Sequence, residues 1–156
     1  MKRVPVIDGE DILSLIPQRP PIVMVDVFYG LENDYSYSGL TITPDNLFCQ
    51  NGKFQEAGII EHIAQSAAAR IGYIYRQKNE PIPLGFIGSV DKLTIHCLPE
   101  AGQELCTEIT VIQEVFDITL IAARVSIAEA IVAECRMKIF LEKNEEENKS
   151  TYGGTH

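Results

Sequence analysis

The sequence predicts an α+β fold in which an antiparallel β-sheet wraps around one long central helix. The first observation is the stretch from Glu56 to Tyr75, whose apolar residues recur with the 3.6-residue period of a helix. The second is that alanine and glycine fill most of its other faces, so other elements have to enclose this helix. The third is that strand-like segments dominate the rest of the chain. The last four are too long and too evenly spaced to include the helices of a βαβ pattern, which favours an antiparallel meander.

The elements before and after this helix follow from local signals. Asp8 caps a short helix that has to end at Pro17. Two strands are predicted over 22–31 and 35–43, and a loop rich in Asn, Asp and Gly over 44–55 leads into the central helix. The four strands of the predicted meander cover 84–98, 103–115, 118–128 and 131–141.

The length of 156 residues fits one domain, which we place at 1–142. The segment 143–156 is charged and then Gly-rich, has nothing to bury, and is predicted to be disordered. One sheet around one helix leaves a sheet edge and a helix face uncovered. Because pairing two copies covers both, we predict a symmetric homodimer or a higher homo-oligomer.

Composition excludes several classes of partner and site. The net charge of −9 argues against nucleic acid and against anionic membranes as partners. No apolar run approaches the length of a bilayer crossing, and the N-terminal residues lack the apolar segment of a secretion signal, so we expect a cytoplasmic protein. Four cysteines without Cys-x-x-Cys spacing and three scattered histidines predict buried free thiols, with no metal site and no cofactor.

A carboxylate on the central helix is the first candidate for chemistry. Glu61 and Gln65 lie one turn apart on the same stripe of the helix, so Gln65 can hydrogen-bond Glu61 and hold it in place. A carboxylate on an enclosed helix is costly unless it is hydrogen-bonded or used. The alternative is that Glu61 caps N–H groups at the helix start. His62 is a substrate-binding candidate, although it projects about 100° away from Glu61 around the helix and packing is favoured.

Three stretches, taken together, resemble the β-hydroxyacyl-acyl-carrier-protein dehydratases. The run from Ile16 to Asp26 resembles their Leu-Pro-His-Arg-Tyr-Pro opening, which leads into an apolar strand ending in Asp. Glu61-His62-Ile63-Ala64-Gln65 resembles their Glu-Ala-x-Ala-Gln, and Asp91 to Leu105 resembles their Lys-x-x-Phe-x-x-Pro-x-x-Pro-Gly-Asp-x-Leu hairpin. The ordered set spans 8–141 and implies the hot-dog fold, assembled at least as a dimer.

The resemblance also implies a division of labour across the dimer interface. In the family a histidine of one subunit removes the α-proton of a 3-hydroxyacyl thioester, carried by acyl carrier protein (ACP) or coenzyme A. The acidic residue on the other subunit's helix protonates the leaving hydroxyl, which here is the role of Glu61. A backbone N–H at the helix start, here at Ala57 or Gly58, polarises the thioester carbonyl.

The sequence departs from the family at the catalytic base. The family histidine lies in a Gly-His-Phe-Pro loop before the central helix, whereas this chain has no histidine between Met1 and Glu61. Matching Gly52-Lys53-Phe54 to that loop puts Lys53 at the histidine position, but only seven residues then separate Lys53 from Glu61. A match that keeps the longer family spacing selects the neighbourhood of Asp45. Both Asp45 and Lys53 stay candidates for the base.

Three functions therefore stay open. The first is a dehydratase of fatty-acid or polyketide-type metabolism that uses Glu61. The second is a hot-dog acyl thioesterase, which needs just one helix carboxylate as nucleophile or as base for water. The third is a non-catalytic acyl-binding or partner subunit, motivated by the missing base. Binding an acidic ACP would require a local basic patch, for which the candidates are Arg19, Lys53, Arg70 and Lys92.

Overall fold

The computed structural model describes residues 3–142, so the predicted disordered tail over 143–156 lies outside the described residues. Within this range the chain forms nine β-strands and one α-helix, with a 3-10 helix at Gly9–Ser14 after the first strand. They are β1 Ile7–Asp8, β2 Val27–Glu32, β3 Tyr35–Thr41, β4 Cys49–Gln50, β5 Lys53–Phe54, α1 Glu56–Gln77, β6 Leu84–Ile95, β7 Glu104–Val115, β8 Ile118–Ile127 and β9 Ala130–Glu142.

Seven of the strands form one antiparallel sheet in the order β1-β2-β3-β7-β8-β9-β6, and β4 and β5 form a separate small hairpin. Helix α1 packs on the inner face of the sheet, in contact with β2, β3, β6 and β7. Ile63, Ala67 and Ile109 are among the buried residues of the core between them. The predicted antiparallel sheet around a central helix is confirmed.

The strand order corrects one part of the prediction. Strands β7, β8 and β9 form the expected meander, but β6 pairs with β9 and not with β7. Strand β3 takes the position beside β7. The prediction of a four-strand meander was wrong because local patterns locate strands, whereas long-range packing selects their neighbours in the sheet.

The apolar run over 22–31 is also only partly a strand, since β2 begins at Val27. Before that point, side chains of α1 replace a neighbouring strand. The Met24 N–H donates to Gln65 Oε1 at 2.6 Å, and the Met24 carbonyl accepts from His62 Nδ1 at 2.6 Å. Because both backbone groups of Met24 are satisfied by the helix, this segment stays buried without joining the sheet.

The small residues of α1 allow close approach by the N-terminal segment, as the composition of the helix predicted. A Cβ atom at Gly72 would overlap the backbone carbonyl of Leu15. Leu15 is fully buried in a second apolar cluster, between the N-terminal segment and α1, which also contains Phe28 and Ala69. This contact fixes the segment that leads to Pro17 and Gln18 against the helix.

Strand β6 forms an open edge of the sheet. Within residues 3–142 its only strand partner is β9. Leu84, Phe86 and Ile87 are 44%, 50% and 45% exposed, an unusual amount of apolar surface for an edge strand.

Within residues 3–142, no helix is both long and apolar enough to cross a membrane.

Candidate active site

A cavity of about 260 Å³ lies between one stripe of α1 and the open strand β6. Its floor is the helix stripe Glu61, Ala64, Ala68 and Ile71, and its walls include Phe86 and Gln18. At a rise of 1.5 Å per residue, the ten steps from Glu61 to Ile71 make this floor about 15 Å long. The two alanines leave room for an extended apolar ligand along the helix.

Of the described residues that line this cavity, Glu61 is the only ionisable one. Its side chain is partly buried, and its Oε1 accepts a hydrogen bond of 2.8 Å from Gln65 Nε2. Most of the other lining residues are apolar. The cavity therefore combines one positioned carboxyl group with an apolar channel, which is the composition expected of a site for an acyl chain with reactive chemistry at one end.

Gln65 is buried, and both ends of its amide are hydrogen-bonded to fixed partners. Its Oε1 accepts from the Met24 N–H, and its Nε2 donates to the Ile22 carbonyl at 2.8 Å as well as to Glu61. Because a backbone N–H can only donate, the Gln65 oxygen has to face Met24. The amide nitrogen then has to face Glu61. The predicted pairing of Glu61 with Gln65 is present in the structure.

We expect the Gln65→Leu variant to lose about 2–3 kcal/mol of unfolding free energy, because it leaves the Met24 N–H and the Ile22 carbonyl without their partner. Denaturant titration measures this loss. The matched control is Gln77→Leu, which changes an exposed glutamine at the end of the same helix and should leave stability nearly unchanged. Equal stability of the two variants would contradict the role assigned to Gln65.

His62 is completely buried and does not line the cavity. Its Nδ1 donates to the Met24 carbonyl, so Nε2 is the acceptor and takes a hydrogen bond of 2.7 Å from the Thr107 hydroxyl. Burial lowers the pKa of His62 to about 4. With both ring nitrogens engaged, this side chain ties α1 to β7, and its geometry offers nothing to a substrate.

The two candidates for the base lie outside the cavity of their own chain. Asp45 and Lys53 are both exposed, on the segment that precedes α1. Lys53 belongs to β5, and its backbone also forms an isolated antiparallel β-bridge with the backbone of Glu100. Neither residue lines the cavity beside Glu61, and no histidine within residues 3–142 does. Within residues 3–142, no group of three or more His, Cys, Asp or Glu side chains is placed to hold a metal ion.

The two candidate N–H donors at the start of α1, Ala57 and Gly58, lie in different environments. The Gly58 N–H donates to the Gln55 carbonyl at 2.9 Å, so it is already engaged. Gly58 is buried, and a Cβ there would lie 2.6 Å from Phe48 Cβ, so a close approach explains the glycine. Ala57 is exposed and, like Gly58, does not line the cavity, and its N–H stays a candidate for polarising a thioester carbonyl one turn before Glu61.

Sequence reasoning missed Gln18 as a component of this site. Gln18 lines the same cavity as Glu61, on the loop between the 3-10 helix and β2. The signal was its place in the run Pro17-Gln18-Arg19-Pro20-Pro21, where three prolines restrict the backbone. Arg19 Nη1 donates to the carbonyls of Ile16 and Gln18, at 2.8 and 2.7 Å. The loop is therefore fixed on both sides of Gln18.

The fold is shared with several solved structures. The dehydratase heterocomplex ApeI:P from Xenorhabdus doucetiae contains a chain with 14% identity and a TM-score of 0.79, and the match covers 96% of this chain and 99% of that one. A hypothetical thioesterase with coenzyme A from Streptococcus pneumoniae has 8% identity and a TM-score of 0.59, over 75% and 85% of the two chains. The PaaI protein of E. coli has 10% identity and a TM-score of 0.57, over 72% and 80%. These likenesses show a hot-dog fold.

The family is shown by a separate comparison. No curated protein matches the sequence. The family profile described as "ApeP-like: ApeP dehydratase" matches residues 10–150, which is nearly the whole chain and includes every element around the cavity. The match agrees with the resemblance to hot-dog dehydratases found in the three sequence stretches. The chain belongs to the ApeP-like dehydratase family.

Proposed function

We propose that this chain is a dehydratase subunit of fatty-acid or polyketide-type metabolism, which removes water from a 3-hydroxyacyl thioester with Glu61 as the acid. The observation that carries the proposal is the Glu61 carboxyl group, held by Gln65 at the side of a largely apolar cavity. Membership of the ApeP-like dehydratase family supports the same reaction class.

The cavity suggests how the substrate lies. The acyl chain follows the floor past Ala64, Ala68 and Ile71, and the C3 hydroxyl lies beside Glu61. A base removes a proton from C2, the C3–O bond breaks, and the electron pair of the C2–H bond forms the C2=C3 double bond. Glu61 gives its proton to the departing hydroxyl, which leaves as water. Ala57 at the start of α1 is the candidate N–H donor to the thioester carbonyl.

The base is proposed to come from a partner chain. Gly85, Phe86 and Ile87 form a wall of the cavity and also belong to the open edge of β6. A partner strand on this edge therefore brings its own chain to the mouth of the cavity. Asp45 and Lys53 do not line their own cavity, so either of them would act as base in the cavity of a second copy in a homodimer.

A partner with a different sequence is the alternative source of the base. The structural relative from Xenorhabdus doucetiae is a dehydratase heterocomplex. A second hot-dog chain that carries a histidine, paired along β6, would complete the site in the same way. In that arrangement this chain supplies Glu61 and the acyl channel.

Thioester hydrolysis is the second candidate function. It is favoured by the presence of one carboxylate, without a histidine, among the cavity-lining residues of the described range 3–142. Glu61 would then activate a water molecule or attack the thioester itself. The third possibility is an acyl-binding subunit without turnover.

Product analysis separates these functions. The purified chain is incubated with a 3-hydroxyacyl-ACP and with the matching CoA thioester, alone and together with a histidine-containing hot-dog dehydratase chain, and the products are identified by mass spectrometry. An enoyl thioester supports the proposed dehydratase. A free thiol with a free acid establishes the thioesterase, and no product in any mixture overturns catalysis by this chain.

A further inference from the structure

Two glutamines near Glu61 differ in how their hydrogen bonds are used. Every donor and acceptor of the Gln65 amide has a partner. The Oε1 atom of Gln18, in contrast, is buried and has no hydrogen-bond partner within residues 3–142. A buried carbonyl oxygen without a donor costs free energy, and native structures contain few of them. The contrast indicates that Gln65 has a structural role, whereas the amide of Gln18, a residue that lines the cavity, has unused hydrogen-bonding capacity.

The loop around Gln18 fixes the backbone from which this side chain enters the site. Arg19 Nη1 binds the carbonyls on either side of Pro17, and the prolines at 17, 20 and 21 restrict the backbone. The terminal amide keeps one freedom. A half-turn about its last bond exchanges the oxygen and nitrogen, which have almost the same shape. Where it lies, Oε1 has almost no accessible surface, so this half-turn is the movement that presents it to a ligand in the cavity.

We propose that Gln18 is a specificity-determining residue that recognises the 3-hydroxyl group of the acyl substrate, an assignment that rests on the proposed dehydration. Gln18 and Glu61 are the two hydrogen-bonding side chains among the lining residues of the cavity. After the half-turn of the amide, the substrate hydroxyl donates a hydrogen bond to Gln18 Oε1 and keeps a lone pair that accepts the proton of Glu61. A saturated acyl chain and the enoyl product both lack this donor, so Gln18 favours the substrate over either.

Binding of two inert analogues tests the assignment. Both are acyl-pantetheine compounds with an amide in place of the thioester, and only one carries the 3-hydroxyl group. Calorimetry gives the ratio of their dissociation constants. It is carried out on the full-length chain alone and on its complex with the partner chain used in the activity assay. We expect the wild type to prefer the hydroxylated analogue by about 3- to 10-fold, the range of one net neutral hydrogen bond.

The variant Gln18→Met keeps the length of the side chain and removes its hydrogen bonds, so it should lose this preference while its affinity for the hydroxyl-free analogue stays the same. Gln113→Met changes an exposed glutamine on β7 and should behave like the wild type. If Gln18→Met does not fold, Gln18→Asn replaces it, because the shorter amide should also lose the preference.

The outcomes distinguish this assignment from the function on which it rests. A preference that persists in the Gln18 variants, or is absent from the wild type, overturns the assignment and leaves the dehydratase proposal intact. Failure of the wild type to bind either analogue, in both forms, overturns the acyl site and the assignment with it.

Discussion

The Glu61→Gln variant is expected to dehydrate 3-hydroxyacyl thioesters about 10²–10⁴-fold more slowly than the wild type, which is the usual contribution of a general acid. Glutamine has nearly the same shape and can still accept the hydrogen bond from Gln65, so the cavity should stay intact. The loss should therefore appear in kcat and leave KM nearly unchanged. The measurement is the initial rate of enoyl formation, in the chain combination that shows activity.

The control for this experiment is Glu56→Gln. Glu56 lies at the start of the same helix, is exposed, and does not line the cavity, so its variant should keep the wild-type rate. A Glu61→Gln enzyme as fast as the control would show that the acid is another group.

Acidification is expected to remove about 3 kcal/mol of stability through His62 alone. Burial lowers the pKa of His62 from 6.5 to about 4 in the folded chain. Between pH 6.5 and about 4, His62 is protonated in the unfolded chain and neutral in the folded chain. Its contribution to stability is therefore fully present above pH 6.5 and declines as the pH falls towards 4. A difference of about 2.5 pKa units corresponds to about 3 kcal/mol. Urea titrations at several pH values measure this decline.

A comparison of variants isolates His62 from the many carboxylates of the chain. His62→Gln removes the titrating ring, so its stability should decline less steeply between neutral pH and pH 4 than that of the wild type, even if it is less stable at neutral pH. Identical slopes in the wild type and His62→Gln would contradict the buried, uncharged state of His62.

The central helix was the most predictable part of the fold. Its predicted end at Tyr75 and observed end at Gln77 differ by two residues. The apolar period and the small residues are local signals, and they survive in the folded chain. The position of β6 beside β9 was not predictable, because it depends on which distant strands compete for the same neighbour. The segment before Val27 has the composition of a strand, but the helix side chains that bond Met24 satisfy its backbone instead.

The candidate site was predictable to a similar degree. Glu61 and Gln65 were identified because a helix places residues four apart on one stripe, and the structure joins them by a hydrogen bond. Gln18 was missed because it reaches the cavity through a loop, for which a sequence gives no period. Its unpartnered oxygen is visible only in three dimensions. Asp45 and Lys53 were selected by matching a family loop, and they stay predictions, since both lie outside the cavity of their own chain.

The exposed apolar side chains of β6 affect how much of this protein can accumulate without aggregating. A long, open edge strand is a template for indiscriminate strand addition, which leads to aggregation. Proline and charged side chains, which commonly protect such edges, are absent from the run Leu84 to Ser89. We therefore expect the yield of non-aggregated protein to depend on its synthesis in equal amounts with the chain that covers this edge. Copies made in excess of that chain should precipitate.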